Sequence, residues 1–184
     1  MKKLVFIVLL SLLAAGIRAQ DVKFPALDTS PADIVYYPLN AAKAKDKTLP
    51  LIKVVYSRPA KKGREIFGVL EQFGKVWRTG ANENTEIRFY RPVVIGSKKI
   101  KAGTYSLFVI PNKDKWTVII NKQTDKWGAF TYDANLDVVR TDVDVKALDK
   151  PLEVLSITFT TQATGASMVI GWDRSSIDLP ITIK

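Results

Sequence analysis

From residue 52 onward, apolar side chains recur at every second position, and that period of two is what most constrains the fold. Ile52, Val54 and Tyr56 alternate with Lys53, Val55 and Ser57, and Ile87 and Phe89 alternate with Glu86, Arg88 and Tyr90. Successive side chains of a strand point to opposite faces, so each run reads as a strand with one buried face. Residues 93–95 and 98–100 flank Gly96-Ser97 as a tight hairpin, and 105–110 and 116–120 flank 111–115 as another. Val139, Thr141, Val143 and Val145 share one face, and Leu155, Ile157 and Phe159 repeat the pattern. Ala166, Met168, Ile170 and Trp172 lead through a turn at 173–175 into Ile177, Leu179, Ile181 and Ile183. Short strands joined by turns predict an all-β fold, an antiparallel β-sandwich or jelly-roll-like single domain. Its core is expected from Val54, Ile87, Phe89, Leu107, Ile119, Ile157, Phe159, Ile170 and Ile181. Two short stretches suggest helix instead: Ile66, Val69, Leu70 and Phe73 before Gly74, and one turn at 145–149.

Ahead of this domain, Lys2 and Lys3 precede an apolar run over 4–15 broken only by Ser11, and Ala19 offers a small residue for cleavage. This is the pattern of a secretory signal peptide at 1–19, too short for a membrane span of roughly 20 apolar residues. A strand-like run and a Lys-rich connector fill 20–49, and the sandwich occupies 50–184. The expected product is periplasmic or secreted, without stable insertion in a membrane. The chain has no cysteine, which excludes a lipid-modified N-terminal Cys and a disulfide framework. Without Lys2, Lys3 and Arg18, 25 basic residues face 18 acidic ones, and the lysines are scattered. That distribution reads as a solvated surface rather than a nucleic-acid footprint.

There is also no histidine. A Ser-His-Asp triad, a Cys-His pair and a zinc site of the usual ligands are therefore excluded. Carboxylate chemistry, a Tyr or Lys base, or a hard metal on oxygen ligands remains. Asp133, Asn135 and Asp137 have the alternate spacing that opens a calcium loop, but no Gly or closing Glu follows, so they read as a turn. Nothing calls for a cofactor or a metal. Asp173 with Glu83 as a glycosidic acid and base pair lacks any sign of the necessary separation. Trp116 and Trp172 sit at strand spacing and read as core, whereas Trp127, beside Gly128 in a turn-rich stretch, is the least core-like tryptophan.

The chemistry concentrates in one place. Residues 58–91 hold five of the eight arginines, four of the five glutamates and four of the ten glycines. A rigid guanidinium fork suits carboxylates and phosphates, and glycine permits backbone conformations other residues avoid. Such a segment is either a built pocket or a cross-braced loop. As a brace, Arg58, Arg64 and Arg78 would bridge Glu65, Glu71, Glu83 and Glu86. As a pocket, the residues that would bind are Arg58, Arg64, Trp77, Arg78, Asn82 and Glu83, with Tyr105 or Trp127 as an apolar wall.

The runs Tyr56-Ser57-Arg58-Pro59, Lys62-Gly63-Arg64, Ile66-Phe67-Gly68, Gly74-Lys75-Val76-Trp77-Arg78-Thr79-Gly80-Ala81-Asn82-Glu83, Ala102-Gly103-Thr104-Tyr105-Ser106-Leu107 and Trp127-Gly128 resemble the domain-of-unknown-function family 2911. The resemblance spans residues 30–184. It implies an exported protein of Gram-negative cells built of β-strands, and it supplies no catalytic residues. The connector at 41–48 looks longer than is usual in the family.

Three functions fit these features. The first is binding of a small polar or anionic ligand, such as a saccharide or a peptide end. The second is a histidine-free enzyme with Glu83 as general acid or base and an arginine stabilising negative charge. The third is a structural or interaction protein of the envelope in which the Arg/Glu segment only braces. Exposure of the arginines and of Glu83 separates them.

Overall fold

The computed structural model describes residues 21–45 and 49–184, so the signal peptide expected at 1–19 lies outside the described residues. Among these the alternating segments become ten strands: β1 (Ala32–Tyr37), β2 (Ile52–Ser57), β3 (Thr85–Phe89), β4 (Val93–Ile95), β5 (Lys98–Ile100), β6 (Gly103–Ile110), β7 (Lys115–Asn121), β8 (Asp137–Asp144), β9 (Lys146–Gln162) and β10 (Gly165–Ile183). Six form one antiparallel sheet in the order β1-β2-β3-β6-β7-β8, and four form a second in the order β5-β4-β10-β9. Both short hairpins pair as their sequences predict, with Val93 opposite Ile100 and Leu107 opposite Ile120. β1 is the edge of the larger sheet, in register with β2 from Ala32 opposite Ser57 to Tyr37 opposite Ile52.

The two sheets close on a core of alternating residues. Val54, Ile87, Phe89 and Leu107 from one face meet Ile157, Phe159, Ile170 and Ile181 from the other, and all are buried. Burial of each such side chain stabilises the fold by about 1.5–3 kcal/mol relative to exposure. Ile119 differs. It is buried, but beside Phe108 on the outer face of the large sheet, where Tyr132 packs edge-on to Phe108 at 5.2 Å. The loop between β7 and β8 covers this second, smaller cluster.

Three further expectations are corrected. The stretch 66–73 is not helical: Phe67 and Glu71 form an isolated bridge, and a chain of turns leads to Gly74. The stretch 145–149 is the extended start of β9, with Lys146 opposite Ser176. Residues 173–175 are not a turn between two strands but a register break inside β10. The buried positions run 166, 168, 170 and 172 before it and 177, 179 and 181 after it. That change of parity requires a bulge, since side chains otherwise alternate strictly. Asp173 adopts φ 51° at the break.

Polar groups lock the side where β1 meets β9. Tyr37 donates its hydroxyl to the Gly165 carbonyl at 2.8 Å, and the buried Tyr56 hydroxyl accepts from the Ile157 N–H at 3.0 Å. Both bonds cross between the sheets.

Candidate functional site

Residues 58–84 leave β2 at Ser57, cross to the edge of the second sheet and return to enter β3. Three bonds fix the crossing: Leu155 N–H donates to the Pro59 carbonyl at 3.0 Å, Lys61 N–H to the Glu153 carbonyl at 2.6 Å, and Lys61 Nζ pairs with Asp173 at 2.7 Å. On the way back, Trp77 and Val109 exchange two backbone hydrogen bonds of 2.7 and 2.9 Å. The segment is therefore tied to both sheets.

Its aromatic residues form a floor. Trp77 stacks on Trp172 at 6.0 Å with a 19° interplanar angle, and Phe67 packs against Trp116 at 4.6 Å. Trp77 is buried and donates its indole N–H to the Gly80 carbonyl at 3.2 Å. It supports the site from beneath and offers no face to a ligand. Gly80 sits where a Cβ would come within 3.0 Å of the Ser57 carbonyl and 3.1 Å of Thr85 Oγ1, so the return path needs a residue without a side chain.

Above this floor opens a cleft of about 270 Å3. Lys62, Arg64, Glu71 and Arg78 line it, with Leu70 and Trp172 as apolar wall and Thr29 and Ser30 closing it from the N-terminal segment. Of the five non-glycine residues with positive φ among those described, Lys62 lines this cleft, and Thr79, Asn82 and Asp173 each adjoin in sequence a residue that does. Held strain of this kind collects where the surrounding structure dictates a site's shape.

Arg78 and Arg64 use their guanidinium groups differently. Arg78 donates Nε to the Gly80 carbonyl at 3.2 Å, and among the described residues its two terminal nitrogens meet no acceptor. Arg64 donates Nε to the Lys61 carbonyl at 2.9 Å and one terminal nitrogen to the Ala60 carbonyl at 2.6 Å. Glu71 shares the cleft with both, yet its carboxyl makes no ion pair within 4.0 Å and no hydrogen bond among the described residues. Burial pushes that carboxyl up to about 7, and Arg78 and Arg64 pull it only part of the way back.

The other expected site residues are placed elsewhere. Arg58 is outside the cleft: it donates to Asp33 Oδ2 at 2.8 Å, the Leu155 carbonyl at 3.0 Å and Ser156 Oγ at 2.9 Å. Its acceptors are an aspartate of β1 and groups of β9, none of the four glutamates expected as bracing partners. Asn82, at φ 59°, holds the loop by donating to Asp28 Oδ1 at 3.2 Å and accepting from Gly128 N–H at 3.0 Å. Glu83 is exposed and forms a backbone bridge with Trp127. Tyr105 lies on the far side, donating to the Lys101 carbonyl at 3.0 Å and packing on Phe89.

Trp127 is 62 % exposed on a loop fixed to the segment at Asn84, whose N–H donates to the Lys126 carbonyl while its side chain accepts from Lys126 N–H, both at 2.9 Å. Next to it, Gly128 adopts φ +66°, and a Cβ there would come within 3.0 Å of Arg78 Nη1 and 2.9 Å of the Phe130 ring. The loop thus packs directly on the guanidinium. The acidic triplet at 133–137 is consumed internally: Asp133 caps a 3-10 turn through Asn135 N–H at 2.9 Å, and Asp137 accepts from Asn121, Tyr132 and Arg140. A larger groove of about 520 Å3 follows β8 and β10, but its Lys146 is spent on Asp178 and it contains no arginine.

The family described as Protein of unknown function (DUF2911) matches residues 38–181, a stretch that contains the whole crossing segment and every strand but β1 and the last two residues of β10. The chain belongs to that family. No curated protein and no solved structure matches it. Among the residues expected to bind a ligand, the cleft gathers Arg64 and Arg78 only; Lys62, Leu70, Glu71 and Trp172 join them. Glu71 is expected from the sequence only as a bracing partner of the arginines, and among the described residues it makes no ion pair.

Proposed function

We propose that this family member is an exported protein that binds a small anionic ligand in the cleft between the crossing segment and β10. The observation that carries the reading is Arg78: a partly buried guanidinium lines the cleft, and both its terminal nitrogens are unmatched by acceptors among the described residues. Such a fork suits two oxygens of one anion, and a charge-assisted pair is roughly twice as strong as a neutral hydrogen bond. Arg64 and Lys62 add positive charge from the opposite turn, while Leu70 and Trp172 exclude water from one side. The site residues of this reading are Lys62, Arg64, Glu71 and Arg78. Bracing is the role of Arg58, which has a protein acceptor for each donor nitrogen.

Calorimetric titration of residues 20–184 with sulfate, phosphate and acetate tests the binding. Saturable binding that is lost in Arg78→Ala and weakened in Arg64→Ala is expected. Equal heats for wild type and Arg78→Ala would refute it. Export is tested by intact mass of the protein from the periplasm and medium, which should begin near Gln20 and carry no lipid.

A further inference from the structure

We infer that the cleft takes up a tetrahedral oxyanion together with one proton, which Glu71 holds and donates as a hydrogen bond to an oxygen of the bound anion. The inference rests on the anion-binding reading above and deepens it. Glu71 is held in place by its backbone, its N–H donating to the Ile66 carbonyl and its carbonyl accepting from Gly68 N–H, both at 2.9 Å. Its side chain lines the same cleft as Arg64 and Arg78. A carboxylate placed for a structural role beside two arginines would pair with one of them. Here none of the ion pairs among the described residues involves Glu71.

Every charged group facing Glu71 bears on its protonation. Lys62 and Arg64 face it from the turn after the β9 crossing and Arg78 from the return strand, while Asp173 on β10 is neutralised by Lys61 at 2.7 Å. With no anion present, burial favours the acid while Arg78 and Arg64 favour the carboxylate, and the balance falls at about 7. An entering anion adds a like charge within the same small volume, which drives the carboxyl to its acid form. As an acid, Glu71 becomes an O–H donor in addition to the terminal nitrogens of Arg78 and the remaining one of Arg64. Donors arriving from three walls suit the oxygens of a tetrahedral group better than the two coplanar oxygens of a carboxylate. The proton comes from solvent, so binding and protonation are linked.

Sulfate is the probe of choice because it does not titrate between pH 6 and 8. Its affinity for residues 20–184 should fall about tenfold from pH 6 to pH 8, as the acid form of a group with a value of about 7 becomes scarce. Glu71→Gln, which keeps a donor and cannot ionise, should bind sulfate equally at both pH values, with the wild-type affinity of pH 6. Titrations of the wild type at pH 7.5 in two buffers of different ionisation enthalpy should report net proton uptake, a reading independent of whether the variant folds. Acetate should bind more weakly than sulfate at pH 6. Sulfate binding that is equal at pH 6 and pH 8 with no proton uptake would overturn the inference while leaving anion binding intact. No saturable binding of sulfate, phosphate or acetate at either pH would overturn both.

Discussion

Arg58 Nη1 donates to Asp33 Oδ2 at 2.8 Å, and that contact ties the start of the crossing segment to β1, the outer strand of the larger sheet. The same guanidinium reaches the Leu155 carbonyl and Ser156 Oγ of β9. One side chain thus closes an open edge of the sandwich, where unpaired strand groups would otherwise meet water or another chain. Arg58→Ala should lower stability by about 2–3 kcal/mol, because it removes several charge-assisted hydrogen bonds and leaves their acceptors short of a donor. Asp33→Asn, which weakens the half-exposed ion pair but keeps an amide oxygen for the Ile34 N–H that Asp33 Oδ1 accepts at 2.8 Å, should cost less than about 1 kcal/mol. Urea denaturation of both variants checks this ordering, and similar losses for the two would contradict it.

The strands were legible because burial of one face imposes a period of two directly on the residues, as in Ile52, Val54 and Tyr56. Even the bulge in β10 is written there, in the change from even to odd buried positions across Asp173. Periodicity does not tell which face is inside when both are covered, so Ile119 falls on the opposite side from its expected place. The site was legible only as a region. Arg58 finds Asp33 25 positions away and Ser156 98 positions away, distances over which only the folded topology decides who meets whom. Lys62 and Glu71 enter the cleft for the same reason.

Gly128 controls how Arg78 is presented. Its φ of +66° disfavours any other residue, and a Cβ would crowd both Arg78 Nη1 and the Phe130 ring. Gly128→Ala should destabilise the fold by about 1–2 kcal/mol and weaken anion binding at the same time, since the guanidinium must move. Gly74, which has a similar φ but nothing within 4 Å and does not line the cleft, supplies the control: Gly74→Ala should lose stability without the loss of affinity. Equal effects on binding would show that Gly128 has no special relation to Arg78.

Arg78→Ala separates binding from architecture. The side chain contributes one hydrogen bond to the protein, to the Gly80 carbonyl, and no ion pair among the described residues. Its removal should therefore cost less than about 1 kcal/mol while abolishing any anion-induced rise in Tm. A loss of 3–5 kcal/mol, the usual result of breaking a buried ion pair, would assign Arg78 to the framework instead. Glu83→Ala should change neither quantity, because Glu83 is exposed and meets the Trp127 loop through its backbone.

Glu71 should write itself into the pH dependence of stability even without a ligand. Its carboxyl titrates at about 7 in the folded protein against an ordinary value of 4.5, because burial penalises the charge. Between those values the folded state keeps a proton that the unfolded chain has released, so stability falls as pH rises through the window and levels off above about 7. Below 4.5 both states hold the proton and the difference vanishes. Glu71→Gln should remove this slope. Its unfolding free energy from urea denaturation should match the wild type near pH 4.5 and exceed it at pH 8 by about 1–2 kcal/mol, less than the full shift implies because the group keeps some contact with solvent. Comparison of the two proteins cancels the other titrating groups, including Glu86, which burial also raises on the outer face of the large sheet. Parallel curves for wild type and variant from pH 4.5 to 8 would mean that Glu71 is well solvated, and the cleft would then hold an ordinary surface carboxylate rather than a proton poised for an incoming anion.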